Sequence, residues 1–107
     1  MNFLPLTPGG QTPPRVMTIA GSDSGGGAGI QADMRTFALL GVHACVAVTA
    51  VTVQNSMGVK GFHEIPVDVI AGQIEAVASD IGIQAAKTGM LASSDIIGTV
   101  ADTWRSQ

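Results

Sequence analysis

The sequence predicts a three-layer α/β fold, with a mainly parallel sheet between flanking helices. Apolar runs rich in β-branched residues, typical of strands covered on both faces, alternate with segments whose apolar residues recur at helical spacing. A glycine-rich segment joins the first such strand to the first such helix. This order is typical of right-handed βαβ units, in which ligands bind at the carboxyl ends of the strands.

The first strand is predicted at residues 15–20, followed by a loop at residues 21–29. Five of the nine loop residues are glycine, which would cost too much backbone entropy in a helix or strand. The first helix follows at once, because apolar residues recur at i, i+4, i+7 and i+8 and Gly41 is a suitable stop. These apolar positions are Ile30, Met34, Phe37 and Ala38.

The second strand is predicted at residues 44–53, and a turn at residues 54–58 lies beyond its carboxyl end. A short and more exposed strand without a clear apolar face is predicted at residues 59–65. The stretch 37–53 approaches membrane-spanning length, but its β-branched residues favour a buried strand. No membrane span is therefore predicted.

Two further helices and one further strand complete the predicted order. Pro66 predicts a helix start, and the apolar face of this helix is Val67, Ile70, Ile74, Val77 and Ile81. A strand is predicted at residues 84–88, ending in a loop at residues 89–91. Ser93 or Ser94 is predicted to cap the last helix. The inner side of that helix is predicted to carry Ile96, Ile97, Val100 and Trp104.

The composition indicates the inner part of a larger domain. Hydrophobic residues make up 46% of the 107 residues, whereas charged residues are only 12%, about half of the usual ~25%. A free-standing domain of this length would need more polar surface. The five Lys and Arg residues form no basic stripe and the net charge is −3, which excludes binding driven by phosphate neutralisation, as in nucleic-acid binders.

Residues 1–14 are predicted to be a mobile leader, and residues 15–107 the folded domain. The leader contains four prolines, two glycines and no charged residue, and it lacks the basic segment and apolar core of a secretory signal. The single cysteine, Cys45, allows no internal disulfide, which suits a reducing cytosol.

The glycine loop fits neither of two common phosphate-binding motifs. Gly21 and Gly26 have the spacing of a P-loop, but the lysine of that motif does not follow them. The pattern G-x-G-x-x-A beginning at Gly27 lacks an acidic residue about twenty positions later. The loop could still receive a ligand at the start of the helix, or it could simply be a tight turn.

Asp33 is a candidate binding residue because it lies within the apolar arc of the first helix, at 300° where Ile30 is zero. A carboxylate there needs a partner. It could accept hydrogen bonds from the hydroxyl or amino group of a ligand, or from amides of the glycine loop. Asp23, inside the loop, is predicted to form an Asx-turn.

Other candidates follow the predicted strands. Gln54 could pair with an aminopyrimidine edge, since its amide both donates and accepts, or it could lie at the surface while Asn55 forms a turn. Met90 could contact a flat ring or belong to the core. Lys87 could reach an anion or remain solvated. The two histidines, His43 and His63, have no metal-ligating neighbours at suitable spacing.

Three segments together resemble the hydroxymethylpyrimidine/phosphomethylpyrimidine kinases of thiamine biosynthesis, in the ribokinase-like superfamily. They are IAGSDSGGGAGIQAD at residues 19–33, VTAVTVQN at 48–55 and KTGML at 87–91. The resemblance runs from about Arg15 to the C-terminus. It implies a ribokinase-like fold and an ATP- and Mg²⁺-dependent kinase that phosphorylates 4-amino-5-hydroxymethyl-2-methylpyrimidine and then its monophosphate.

The resemblance also assigns binding roles to matching residues. It implies that Ala28 lies against the pyrimidine and that Asp33 binds polar groups of the substrate. Gln54 would recognise the aminopyrimidine edge and Met90 would cover the ring. Possible further contacts in the loop are Gly26, Gly27 and Gly29.

Kinases of this family are more than twice as long as this chain. The magnesium segment, the nucleotide pocket and the anion hole belong to their later half, so we expect no catalytic or metal-binding residue here, with ATP and Mg²⁺ held mostly by residues outside this chain. We expect the chain, truncated after roughly the first three βα units, to be inactive alone. The family also implies a cytoplasmic homodimer. Alternatives are a fragment of a pyridoxine-type vitamin kinase and a non-catalytic α/β binding module.

Overall fold

The computed structural model describes residues 12–107. Residues 1–11, which include most of the predicted leader, lie outside the described part. The backbone carbonyl of Pro14 accepts a hydrogen bond from the amide of His43, so regular pairing begins directly before the first strand. The elements are β1 (Arg15–Ser22), α1 (Gly29–Leu39), β2 (His43–Asn55), β3 (Gly58–Glu64), α2 (Val67–Asp80), β4 (Ala85–Thr88) and α3 (Ser94–Arg105).

The four strands form one sheet in the order β3-β2-β1-β4. β1 pairs in parallel with both β2 and β4, whereas β3 pairs antiparallel to β2. The parallel part confirms the predicted βαβ arrangement, and the antiparallel β3 makes the whole sheet mixed. The carboxyl ends of β1, β2 and β4 therefore lie at the same edge of the sheet.

The hydrophobic core lies on the side of the sheet that faces α2 and α3, here called the core face. Residues that alternate along β1 and β2 point to this side and pack against apolar residues of both helices. Ile70 and Ile74 of α2 are fully buried, as the helical periodicity predicts. The buried cluster is Met17, Ile19, Cys45, Ala47, Ile70, Ile74, Ile96 and Val100.

The opposite side of the sheet carries α1 and is here called the α1 face. Ile30 is the one buried apolar residue of α1, while Met34 is 42% exposed and Ala38 is also exposed. The predicted apolar stripe of this helix is therefore only partly covered, because the helix packs mainly against β1 and β2. Thr18 of β1 is fully buried beneath the helix and hydrogen-bonds to its Asp33.

Several local predictions were wrong in detail. Val67, predicted on the apolar face of α2, is 39% exposed, and β1 extends to Ser22, two residues into the predicted glycine loop. Gln54 and Asn55 belong to β2 rather than to the turn after it, because β3 folds back and pairs with both residues. Ile97 is 52% exposed, since the inner side of α3 is carried by Ile96, Val100 and Thr103. Ala38, predicted on the apolar stripe of the first helix, is exposed for the reason given above.

None of the helices in the described residues is long and apolar enough to cross a membrane.

Candidate substrate site

A cavity of about 370 Å³ opens at the carboxyl ends of β1, β2 and β4, on the α1 face. Four segments line it: the loop between β1 and α1, the end of β2, the outer strand β3 and the loop after β4. Its walls are mostly apolar, with a few polar side chains. This is the edge at which parallel α/β sheets bind their ligands.

The glycine loop is organised by the side chain of Asp23. Its Oδ1 accepts a hydrogen bond from the amide of Gly25 at 2.8 Å, which is the predicted Asx-turn. Its Oδ2 accepts two more, from the amides of Gly27 at 2.9 Å and Ala28 at 2.8 Å. These amides are therefore engaged by Asp23, and the loop presents a preformed wall rather than a cradle of free donors for a phosphate.

Two side chains fasten this loop to its surroundings. The hydroxyl of Ser24 donates to the backbone carbonyl of Gln54 and accepts from the backbone N–H of the same residue. These two hydrogen bonds tie the loop to the end of β2. The side chain of Gln31 accepts from the amide of Asp23 and donates to the hydroxyl of Ser22. The loop is thus held both to the end of β2, which is distant in sequence, and to the nearby first turns of α1.

Glycine is required at two positions by close approach. Gly29 has a φ of +59°, and a Cβ there would collide with the backbone carbonyl of Gly21. At Gly89, a Cβ would lie 2.8 Å from the Cβ of Ala20, and its amide donates to the carbonyl of Ile19. Both glycines let a loop lie against β1 beside the cavity.

Asp33 lies behind the cavity and is not among the residues that line it. Its Oδ2 accepts a hydrogen bond from the hydroxyl of Thr18 at 2.6 Å and from Nζ of Lys87 at 2.8 Å. Burial alone would raise the pKa of Asp33, but the hydrogen bonds from Lys87 and Thr18 and the charge of Lys87 outweigh it and lower the pKa below its usual value. The amides of the glycine loop, which the sequence offered as its other partners, bond to Asp23 instead.

The structure brings three of the predicted binding residues together around the cavity: Ala28, Gln54 and Met90. Gly29 also lines it, whereas Gly26 and Gly27 do not. Met90 is 87% exposed, which excludes the alternative that it belongs to the core. The side-chain oxygen of Gln54 lies 3.2 Å from the hydroxyl of Thr52, which also donates to the backbone carbonyl of Ser22 at 2.7 Å.

Sequence reasoning missed the contribution of β3. Val59 and Phe62 line the cavity, although alternation along this strand gave no clear apolar face. The pairing of β3 shifts register between Val53 and Gln54, and such an irregularity moves side chains relative to simple alternation. The available signal was the presence of two large apolar residues, Val59 and Phe62, in a short predicted strand directly after a buried one.

The described residues do not fit a metal centre. No group of three or more His, Cys, Asp or Glu side chains within residues 12–107 could hold an ion. The two carboxylates beside the cavity already have partners, since Asp33 is engaged by Lys87 and Asp23 by three amides. Both carboxylates beside the cavity are therefore already engaged within the described part of the chain.

Comparison with known proteins connects this site to a family. The sequence profile of the phosphomethylpyrimidine kinase family matches residues 23–107. Hydroxymethylpyrimidine/phosphomethylpyrimidine kinase of Mycobacterium tuberculosis H37Rv is 80% identical over 105 residues, which are 98% of this chain and 38% of that protein. The chain therefore spans less than half the length of this relative.

Solved structures agree in fold. The crystal structure of phosphomethylpyrimidine kinase from Clostridium difficile 630 has a TM-score of 0.84 and 43% identity, covering 87% of this chain and 40% of that one. Pyridoxal kinase from Staphylococcus aureus in complex with pyridoxal has a TM-score of 0.78 and 36% identity, covering 90% of this chain and 36% of that one. The predicted ribokinase-like α/β architecture is confirmed, and the chain belongs to the phosphomethylpyrimidine kinase family.

Proposed function

We propose that this chain is the substrate-binding part of a thiamine-pathway kinase, whose reaction is ATP-dependent phosphorylation of 4-amino-5-hydroxymethyl-2-methylpyrimidine and of its monophosphate. The observation that carries the proposal is the joint placement of Ala28, Gln54 and Met90 around one cavity at the carboxyl ends of the strands. These residues come from three separate segments. Each offers either a hydrogen bond or an apolar contact to a small flat ring.

The chemistry of the cavity fits an aminopyrimidine. The Gln54 side chain offers an acceptor for an exocyclic amino group and a donor for an adjacent ring nitrogen. The methyl group of Ala28 and the thioether of Met90 provide apolar contact for the two faces of a ring. Phe62 of β3 adds an aromatic wall.

Phosphoryl transfer needs groups that position the nucleotide and stabilise charge on the transferring phosphate. The described residues provide no metal cluster, and the loop amides that could hold a phosphate are engaged by Asp23. We therefore expect little or no kinase activity from this chain alone. As the family resemblance implies, we propose that the whole protein uses ATP and Mg²⁺, forms a homodimer and is located in the cytoplasm.

Calorimetric titration of the chain with the hydroxymethylpyrimidine tests the proposal directly. Gln54→Glu keeps the side-chain size but removes the amide donor, so we expect its affinity for the pyrimidine to fall about tenfold. The matched control is Gln84→Glu, whose side chain lies at the opposite end of the sheet and accepts from the amide of Arg15. Equal affinity in both variants and the unmodified chain would contradict the assignment of Gln54.

Competition with pyridoxal separates the second candidate, a pyridoxal-type vitamin kinase. The likeness to the pyridoxal kinase from Staphylococcus aureus favours testing it. Displacement of the pyrimidine only at a large excess of pyridoxal supports the proposed substrate, whereas tighter binding of pyridoxal supports the alternative.

An ATP-turnover assay with the hydroxymethylpyrimidine tests the expected inactivity of the chain. Turnover at a near-normal rate would refute it.

A further inference from the structure

Lys87 is the one cation among the described residues that line the cavity. Its ammonium group donates to Asp33 at 2.8 Å, and its side chain is 47% exposed. A lysine ammonium has three N–H donors, of which this contact uses one. The other donors are therefore available on the exposed side of the group, toward the cavity and solvent.

The carboxylate of Asp33 holds Lys87 in place from behind. Asp33 is only 18% exposed, is fixed on α1 and also accepts from the buried hydroxyl of Thr18. Because Thr18 and Lys87 are register partners on adjacent strands, the carboxylate is fixed between β1 and β4 beneath the helix. Lys87 lines the cavity and Asp33 does not, so Lys87 is the ligand-facing member of this pair.

The position of Lys87 complements that of Gln54. Gln54 lies near the end of β2 and Lys87 belongs to β4, with β1 between them, so the two backbones are separated by two strand spacings, roughly 10 Å. The other acidic residue near the cavity, Asp23, is compensated by three amide hydrogen bonds. The hydroxymethyl group is on the ring carbon next to the one that bears the amino group, so a ring whose amino edge pairs with Gln54 would extend its phosphate from this neighbouring position into the cavity that Lys87 lines.

We propose that Lys87 contacts the phosphate of a phosphate-monoester ligand in this cavity, and that Asp33 is the positioning residue that holds Lys87 for this contact. The inference rests on the proposed function, and it assigns to Lys87 the preference for the phosphorylated pyrimidine over the free alcohol. The role of Asp33 then differs from the direct ligand contact that the family resemblance implies.

The test compares affinities for the pyrimidine monophosphate and for the free hydroxymethylpyrimidine by calorimetry. Lys87→Met should weaken binding of the monophosphate about tenfold or more, because it removes a charge-assisted hydrogen bond, and should change binding of the alcohol by less than about threefold. Lys87→Arg should restore most of the preference. The matched control is Lys60→Met, an exposed lysine of β3 outside the cavity lining.

A double-mutant cycle tests the role of Asp33. If Asp33 acts through Lys87, Asp33→Asn changes the ratio of the two affinities in the unmodified chain but not in the Lys87→Met background. Lys87→Met alone leaves the charge of Asp33 unpaired, and circular dichroism shows whether this variant folds. If it does not, the double variant, which carries neither charge, takes its place in the comparison of the two ligand affinities.

Three results would overturn the inference. An equal loss for both ligands in Lys87→Met would show that Lys87 does not select the phosphate. An equal effect of Asp33→Asn in both backgrounds would show direct contact by Asp33. Absence of binding of either pyrimidine to the unmodified chain would refute the proposed function as well, whereas the first two results would leave that function standing.

Discussion

The two faces of the sheet are built on different principles. On the core face, two helices cover alternating residues of β1 and β2 with a continuous apolar cluster. On the α1 face, a single helix covers the sheet, and the fully buried Thr18 and the largely buried Asp33 meet Lys87. The cavity opens on this second face.

This difference separates stability from binding. Apolar burial on the core face is non-directional and contributes most of the folding free energy. The polar contacts on the α1 face contribute less net stability, since each hydrogen bond replaces one with water, but they fix side-chain direction. Substitutions on the core face should therefore lower the free energy of unfolding most. Substitutions beneath the cavity should instead change the orientation of the side chains there and the preference between ligands.

The largest effect is expected at Ile74, which is fully buried on the core face. Ile74→Ala should lower the free energy of unfolding by about 4 kcal/mol through lost burial and a residual cavity. Urea denaturation measures the change, and Ile74→Val, with an expected cost of about 1 kcal/mol, gives a value if the alanine variant unfolds. The comparison is with Met34→Ala on α1, which should cost less than about 1 kcal/mol because Met34 is 42% exposed. Equal losses at both positions would remove the distinction between the two faces.

The next effect is expected at Gly29, where the glycine loop meets α1. Gly29→Ala should cost about 3 kcal/mol, because it combines a left-handed backbone with a collision against the carbonyl of Gly21. Gly26→Ala is the matched control, since Gly26 has a φ of +79° but its Cβ would meet nothing within 4 Å. Its expected cost is about 1 kcal/mol. Similar melting temperatures for the two variants would contradict the close approach of the loop to β1.

A smaller effect is expected at the start of α3. The Ser93 side chain accepts a hydrogen bond from the amide of Ile96, whereas α1 begins after Ala28 with no side-chain cap. Ser93→Ala should cost about 1 kcal/mol in thermal or chemical unfolding, because it leaves a helix amide without its partner. Ser94→Ala, at the first residue of the helix, should be nearly neutral, and a larger loss there than at Ser93 would contradict Ser93 as the cap.

The smallest effect is expected from Asp33 on the pH dependence of stability. Its pKa is lowered in the folded chain, so its contribution is present above the unfolded pKa of about 3.9 and is lost as pH falls through the folded pKa. Asp33→Asn should cost less than about 1 kcal/mol at neutral pH, since water screens the half-exposed Lys87.

The measurement is urea unfolding at a series of pH values below about 5. Stability of Asp33→Asn should fall less steeply with acid than stability of the unmodified chain. Asp102→Asn, which removes an exposed pair with Arg105 at 3.4 Å, is the control and should change stability by less than about 0.5 kcal/mol. Parallel pH profiles for Asp33→Asn and the unmodified chain would show that Lys87 does not stabilise the charged form of Asp33.

Much of the fold was predictable because its signals are local. The glycine run at residues 21–29 and the apolar periodicities before and after it predicted β1, its loop and the start of α1. Ile70 and Ile74 were predicted to face the core because helical spacing alone places them on one side. The exposed Ile97 shows the limit of this reasoning, since an amphipathic stripe does not reveal how much of it neighbouring elements cover.

Local backbone preferences and periodicity suffice to predict the order of strands and helices and the loops that meet at the carboxyl ends of the strands. The binding candidates Ala28, Gln54 and Met90 follow from motifs that are equally local. In contrast, the return of β3 to line the cavity and the pairing of Asp33 with Lys87, 54 residues away along the chain, became visible only in the folded structure. Strand pairing and the partners of buried charges depend on which surfaces meet, and no single segment of the chain encodes that.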